Sequence, residues 1–76
     1  MRLEKICAYL KEKGMKFDYF EDMGCGSIEF LHRGLAYHIW EYPDGEGADS
    51  TVRTVGRMEA YTGDYEEQIL DILRSW

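Results

Sequence analysis

A chain of 76 residues has room for one domain, spanning 1–76, because so short a chain buries only about 60% of its unfolded surface and cannot feed two cores. With 45% apolar and 14% aromatic residues it lies outside disordered composition, and a compact fold is expected despite 32% charged residues. The net charge of −6 disfavours direct nucleic-acid binding; alternating charged and apolar residues from Met1-Arg2-Leu3-Glu4-Lys5 onward leave no signal-peptide or membrane-spanning run, so the default location is cytoplasmic, away from membranes.

Leu3, Ile6, Cys7 and Leu10 recur at helical spacing, with Lys11 and Lys13 near the end and Gly14 just beyond it, which predicts a helix over 2–13. Residues 15–20 alternate around Phe17 and Tyr19 and read as a strand. Met23-Gly24-Cys25-Gly26 brings two glycines into four residues and predicts a chain reversal, with Cys25 sterically open between them. Cys7 falls on the apolar stripe of the first helix and reads as core. Without an export signal both cysteines are expected as free thiols rather than a bridge.

Residues 27–42 form two β-rich runs around Arg33-Gly34 and predict a hairpin. With Arg33-Gly34 as a two-residue loop, Ile28, Phe30 and His32 share one face with Leu35, Tyr37 and Ile39. Ser27, Glu29, Leu31, Ala36, His38, Trp40 and Tyr42 then share the other, and Glu29 stands opposite His38. A three-residue loop, His32-Arg33-Gly34, would slip the pairing by one; the first register is preferred for its apolar match. Residues 43–50 read as an acidic loop, and 51–61 as a fourth strand, bulged or broken at Gly56. Asp64 and Glu67 resemble a reciprocal capping pair opening a helix from 64 or 65 to 75, whose buried stripe is Ile69, Leu70, Ile72, Leu73 and Trp76.

These elements predict an α+β two-layer sandwich, α-β-β-β-(β)-α, with an antiparallel sheet and both terminal helices on one face. The opposite face is left bare, carrying Trp40 and Tyr42 with His38 and Glu29 beside them. Two tryptophans, six tyrosines and three phenylalanines are many for so small a core, so some must reach the surface. Exposed aromatics gathered on one face mark a contact surface, although ordinary cross-strand pairing also accounts for them.

Other constellations carry less. His38 with Glu29 has the composition of an acid/base pair, but a cross-strand ion pair on a solvated face is the commoner arrangement. Cys25, His32 and His38 lack metal-ligand spacing, and Asp44, Glu46 and Asp49 lack that of a calcium loop, so neither metal nor cofactor is expected. Arg53 and Arg57 lie among carboxylates and are expected to pair with them; an oxyanion pocket is the sharper alternative. Acids outnumber bases nine to three over 41–76 but balance six to six over 1–40, so the second half sets the charge and favours cationic protein surfaces.

The runs Leu35-Ala36-Tyr37-His38-Ile39-Trp40-Glu41-Tyr42 and Gly63-Asp64-Tyr65-Glu66-Glu67-Gln68-Ile69-Leu70 resemble small uncharacterised bacterial proteins of similar length. That resemblance implies no activity, substrate or catalytic residue. The expectation is therefore a non-enzymatic interaction module that binds a protein partner or a second copy through its helix-free face, in one form as an acidic mimic of nucleic acid. The alternative is a small-ligand or catalytic site centred on His38 and Glu29, with Cys25 or Arg53 as further candidates.

Overall fold

A computed structural model describes residues 2–43 and 45–76. Helix α1 (Glu4–Glu12) precedes strands β1 (Phe17–Asp22), β2 (Cys25–His32), β3 (Leu35–Glu41), β4 (Gly47–Thr54) and β5 (Arg57–Thr62), and helix α2 (Tyr65–Arg74) closes the chain. The strands form one antiparallel meander in the order β1-β2-β3-β4-β5. The fold is α+β, in the helix-sheet-helix order that the sequence implies.

Strand alternation decides the layers. Phe17 and Tyr19, then Ile28 and Phe30, Tyr37 and Ile39, Ala48, Ser50 and Val52, and Tyr61 point to one side, where Leu3, Ile6, Cys7 and Leu10 of the first helical segment and Ile69, Leu70 and Leu73 of α2 complete the core. Both helices therefore pack on the same face. Tyr9 ties them together, its hydroxyl donating to the Leu73 carbonyl at 3.2 Å.

The β2–β3 hairpin takes the two-residue register: His32 pairs with Leu35, Phe30 with Tyr37 and Glu29 with His38. Arg33 and Gly34 both have positive φ, 53° and 78°, the geometry that matches the right-handed twist of the flanking strands.

Three local expectations are corrected. Met23 and Gly24 alone turn the chain, so Cys25 and Gly26 already belong to β2, and Cys25 is 8% exposed rather than open. The run 51–61 is a hairpin rather than one strand: Thr54 pairs with Arg57 across Val55-Gly56, and β4 starts at Gly47 inside the supposed acidic loop. The sheet thus has five strands. The Asp64–Glu67 capping pair does not form, since Asp64 makes no side-chain cap. Instead Glu66 crosses to α1, where its Oε2 accepts from the Ile6 N–H at 3.1 Å. That bond serves one of the main-chain donors exposed at the start of a helix whose own N-cap, Leu3, supplies none.

Candidate functional site

The face opposite the helices is crossed by aligned rows of side chains. Phe20, Ser27, Trp40, Asp49 and Ala60 are in register across all five strands, and the neighbouring row holds Asp18, Glu29 and His38. Apolar groups stand at its water boundary: Phe20 is 56% exposed, Leu31 59%, Trp40 55% and Met58 48%. Trp40 is thus an exposed aromatic on the bare face, and its indole lies nearly parallel to the His38 ring at a centroid distance of 6.0 Å. Tyr42 is more withdrawn. Its ring lies over Gly47, where an added Cβ would be 3.1 Å from it, and its hydroxyl donates to Asp49 Oδ1 at 2.5 Å.

His38 is held from several sides. Its Nε2 lies 2.9 Å from Ser27 Oγ, and its Nδ1 is 3.8 Å from Glu29 Oε1. Its backbone is anchored where β3 and β4 part: regular pairing ends at Ile39 with Ser50, after which the His38 N–H donates to Thr51 Oγ1 at 3.0 Å and the Ser50 hydroxyl donates to the His38 carbonyl at 2.9 Å. Two hydroxyl side chains replace ladder bonds beside the register shift between Ser50 and Thr54. Alongside this splay runs an open groove of about 880 Å³, whose lining includes Lys16, Asp18, Glu29, Leu31, His38 and Thr51.

No family model, curated protein or solved structure matches this chain. The site is therefore read from its own chemistry. Among the described residues, neither Asp18 nor Asp22 forms an ion pair, and Glu29 faces the imidazole of His38. Asp18 and Glu29 are cross-strand partners, a like-charge pairing that costs stability when nothing cationic lies between the two groups. Arg53 pairs with Glu59 at 3.2 Å, as the sequence implies, and so is not free to build an anion pocket. The calcium-loop alternative rests partly on Asp44, which lies outside the described residues.

A second polar cluster escapes sequence reading. Glu41 projects to the core face and is 3% exposed; its Oε1 accepts from Arg2 Nε at 2.6 Å and from the Gly26 N–H at 2.8 Å, while Oε2 accepts from the Tyr65 hydroxyl. Burial pushes the Glu41 pKa up, but the bonds from Arg2, Tyr65 and Gly26, with the Arg2 charge, outweigh it and leave the carboxyl below its ordinary value. Tyr65 is shifted upward, first by burial and then by its bond to Glu41. This cluster has a structural job, clipping the N-terminal segment and the start of α2 to the sheet. One signal of it was present in the sequence, because Glu41 occupies the inward parity of Tyr37 and Ile39. Ser27 likewise shared the outward parity of His38, but nothing in the sequence marked it as the imidazole's partner.

No helix among the described residues is long and apolar enough to cross a membrane.

Proposed function

We propose that the chain is a protein-docking module whose helix-free sheet face receives a partner protein. The observation that carries this reading is the exposure of Trp40 and Phe20 in one cross-strand row, with Leu31 and Met58 also exposed on the same side, which neither helix covers. Rigid aromatic groups on a regular sheet bury large area with few rotors to immobilise, which suits them as anchors of an interface. The experiment is quantitative affinity capture from the native cell with three baits: wild type, Trp40→Ser with Phe20→Ser, and a helix-side control, Lys11→Ser. A partner retained in stoichiometric amount by wild type and control, and lost with the double variant, is the expected result. Identical captures by all three baits overturn the reading.

The series Ser27, His38, Glu29, a hydrogen bond followed by a looser 3.8 Å contact, favours a second reading, nucleophilic catalysis by Ser27 with His38 as base. It lacks electrophilic support. Ser27 sits mid-ladder between Phe20 and Trp40, where main-chain N–H groups run in the plane of the sheet toward neighbouring strands instead of outward to a developing oxyanion. Labelling by a fluorophosphonate probe no stronger than that of Ser27→Ala is expected, and stoichiometric, Ser27-dependent labelling would reinstate this alternative.

A further inference from the structure

We infer that the partner segment seated on this face is basic, with lysine or arginine side chains reaching the groove beside Asp18, Glu29 and His38 while its apolar groups rest on Phe20 and Trp40. This rests on the docking reading above and adds the chemistry of the occupant. Charge complementarity selects it. The open face presents Asp18, Asp22, Glu29 and Asp49 around its apolar row, and against them the groove lining holds one lysine, Lys16, so carboxylates remain in excess there. Asp18 and Glu29 face each other with neither one paired to lysine or arginine among the described residues. A cation between them would turn a repulsive cross-strand pair into two attractive contacts.

A second copy of the chain fits this face poorly. A two-fold interface brings one patch against itself, so each of these carboxylates would meet the same acidic field. Phosphate-rich ligands are repelled for the same reason.

The spacing refines the expectation. Successive same-face residues along a strand are about 7 Å apart, so the Phe20–Trp40 row and the Asp18–Glu29–His38 row match an extended segment with an apolar side chain two positions from a basic one. The exposed indole of Trp40 also offers its face to a guanidinium.

The test uses fluorescently labelled peptides repeating arginine, serine, leucine, serine, with glutamate or glutamine replacing arginine in two control sets, read by anisotropy at low and high salt. The arginine set is expected to bind most tightly, by about tenfold over the glutamine set, and to weaken as salt rises. The triple variant Asp18→Asn, Asp22→Asn, Glu29→Gln should lose about tenfold in affinity, whereas Glu12→Gln, Asp64→Asn, Asp71→Asn, which removes equal charge elsewhere, should lose under about twofold. Equal losses in the two triple variants would show attraction to net charge alone and overturn the proposal. So would binding of the glutamine set as tight as that of the arginine set; Trp40-dependent binding of that kind leaves docking intact, while the capture experiment judges docking independently.

Discussion

Arg2 and Glu41 lie 39 positions apart in sequence and meet at 2.6 Å, the guanidinium near the surface and the carboxylate beneath it in the core layer. The pair is one corner of a network that also engages the Gly26 N–H and the Tyr65 hydroxyl. Because Arg2 can rehydrate when its partner is lost, the cost of removing Glu41 falls on the buried Gly26 N–H and the partly buried Tyr65 hydroxyl.

Glu41→Ala should therefore destabilise the fold by about 2 kcal/mol, the penalty for orphaning buried donors. Urea unfolding of the two proteins measures it. A loss below about 0.5 kcal/mol would place the network among ordinary surface contacts.

The same carboxylate gives stability a definite pH dependence. Its folded pKa lies below the unfolded value, so its contribution is complete above the ordinary glutamate range and is lost as pH falls through the folded pKa. Wild type should lose stability on acidification below about pH 4.5, and Glu41→Gln should lose less over that interval. Parallel stability curves for the two proteins would contradict this assignment.

Gly47 tolerates no side chain. A Cβ there would lie 2.5 Å from the Tyr61 carbonyl oxygen and 3.1 Å from the Tyr42 ring, and the first of these contacts is with backbone. Gly47→Ala should cost about 2 kcal/mol or more by forcing β4 and β5 apart. Trp40→Ser, on the open face, should stay within about 1 kcal/mol of wild type, so a binding defect in that variant is not an unfolding defect.

Trp76 is not buried as its place in the apolar stripe of the last helix implies: it is 39% exposed against 55% for Trp40, but it meets more rings. Its ring stacks on His32 at 4.4 Å and lies 4.8 Å from Tyr37 and 6.2 Å from Phe30. Acrylamide should quench Trp40 more strongly than Trp76 when each is observed in the absence of the other. Trp76→Ala should cost about 1 kcal/mol in thermal or urea unfolding through the lost aromatic contacts.

Both thiols should be slow toward a disulfide reagent in the native state and fast after unfolding. Cys7 is buried on α1, and burial, reinforced by Glu66 and Glu4, pushes its pKa up, which lowers the thiolate fraction. Cys25 is shielded at the start of β2. Rapid reaction of one native thiol would show that one of these positions is open.

Much of the candidate site was legible because it depends on alternation. Once Arg33-Gly34 is the loop, Trp40 must share a face with His38 and Glu29, and Glu29 must oppose His38. The break between β4 and β5 was harder to read: Val55-Gly56 is a two-residue turn between β-rich runs, with only one glycine to mark it. The glycines around Cys25 misled in the other direction. Gly26 is needed for close packing, since a Cβ there would meet Glu41 Oε1 at 3.0 Å, and not for a reversal.

The sequence by itself determined the apolar stripes of both helices, the inward and outward faces of the central hairpin, and the excess of acid over base. Those are properties of neighbours along the chain, set by periods of 3.6 and two residues. Only the tertiary structure decided that Arg2, Gly26, Glu41 and Tyr65 converge, that Ser27 reaches His38, and that β3 and β4 part beside it to open a groove. Such contacts depend on the angle and offset at which whole elements pack, which no local periodicity encodes.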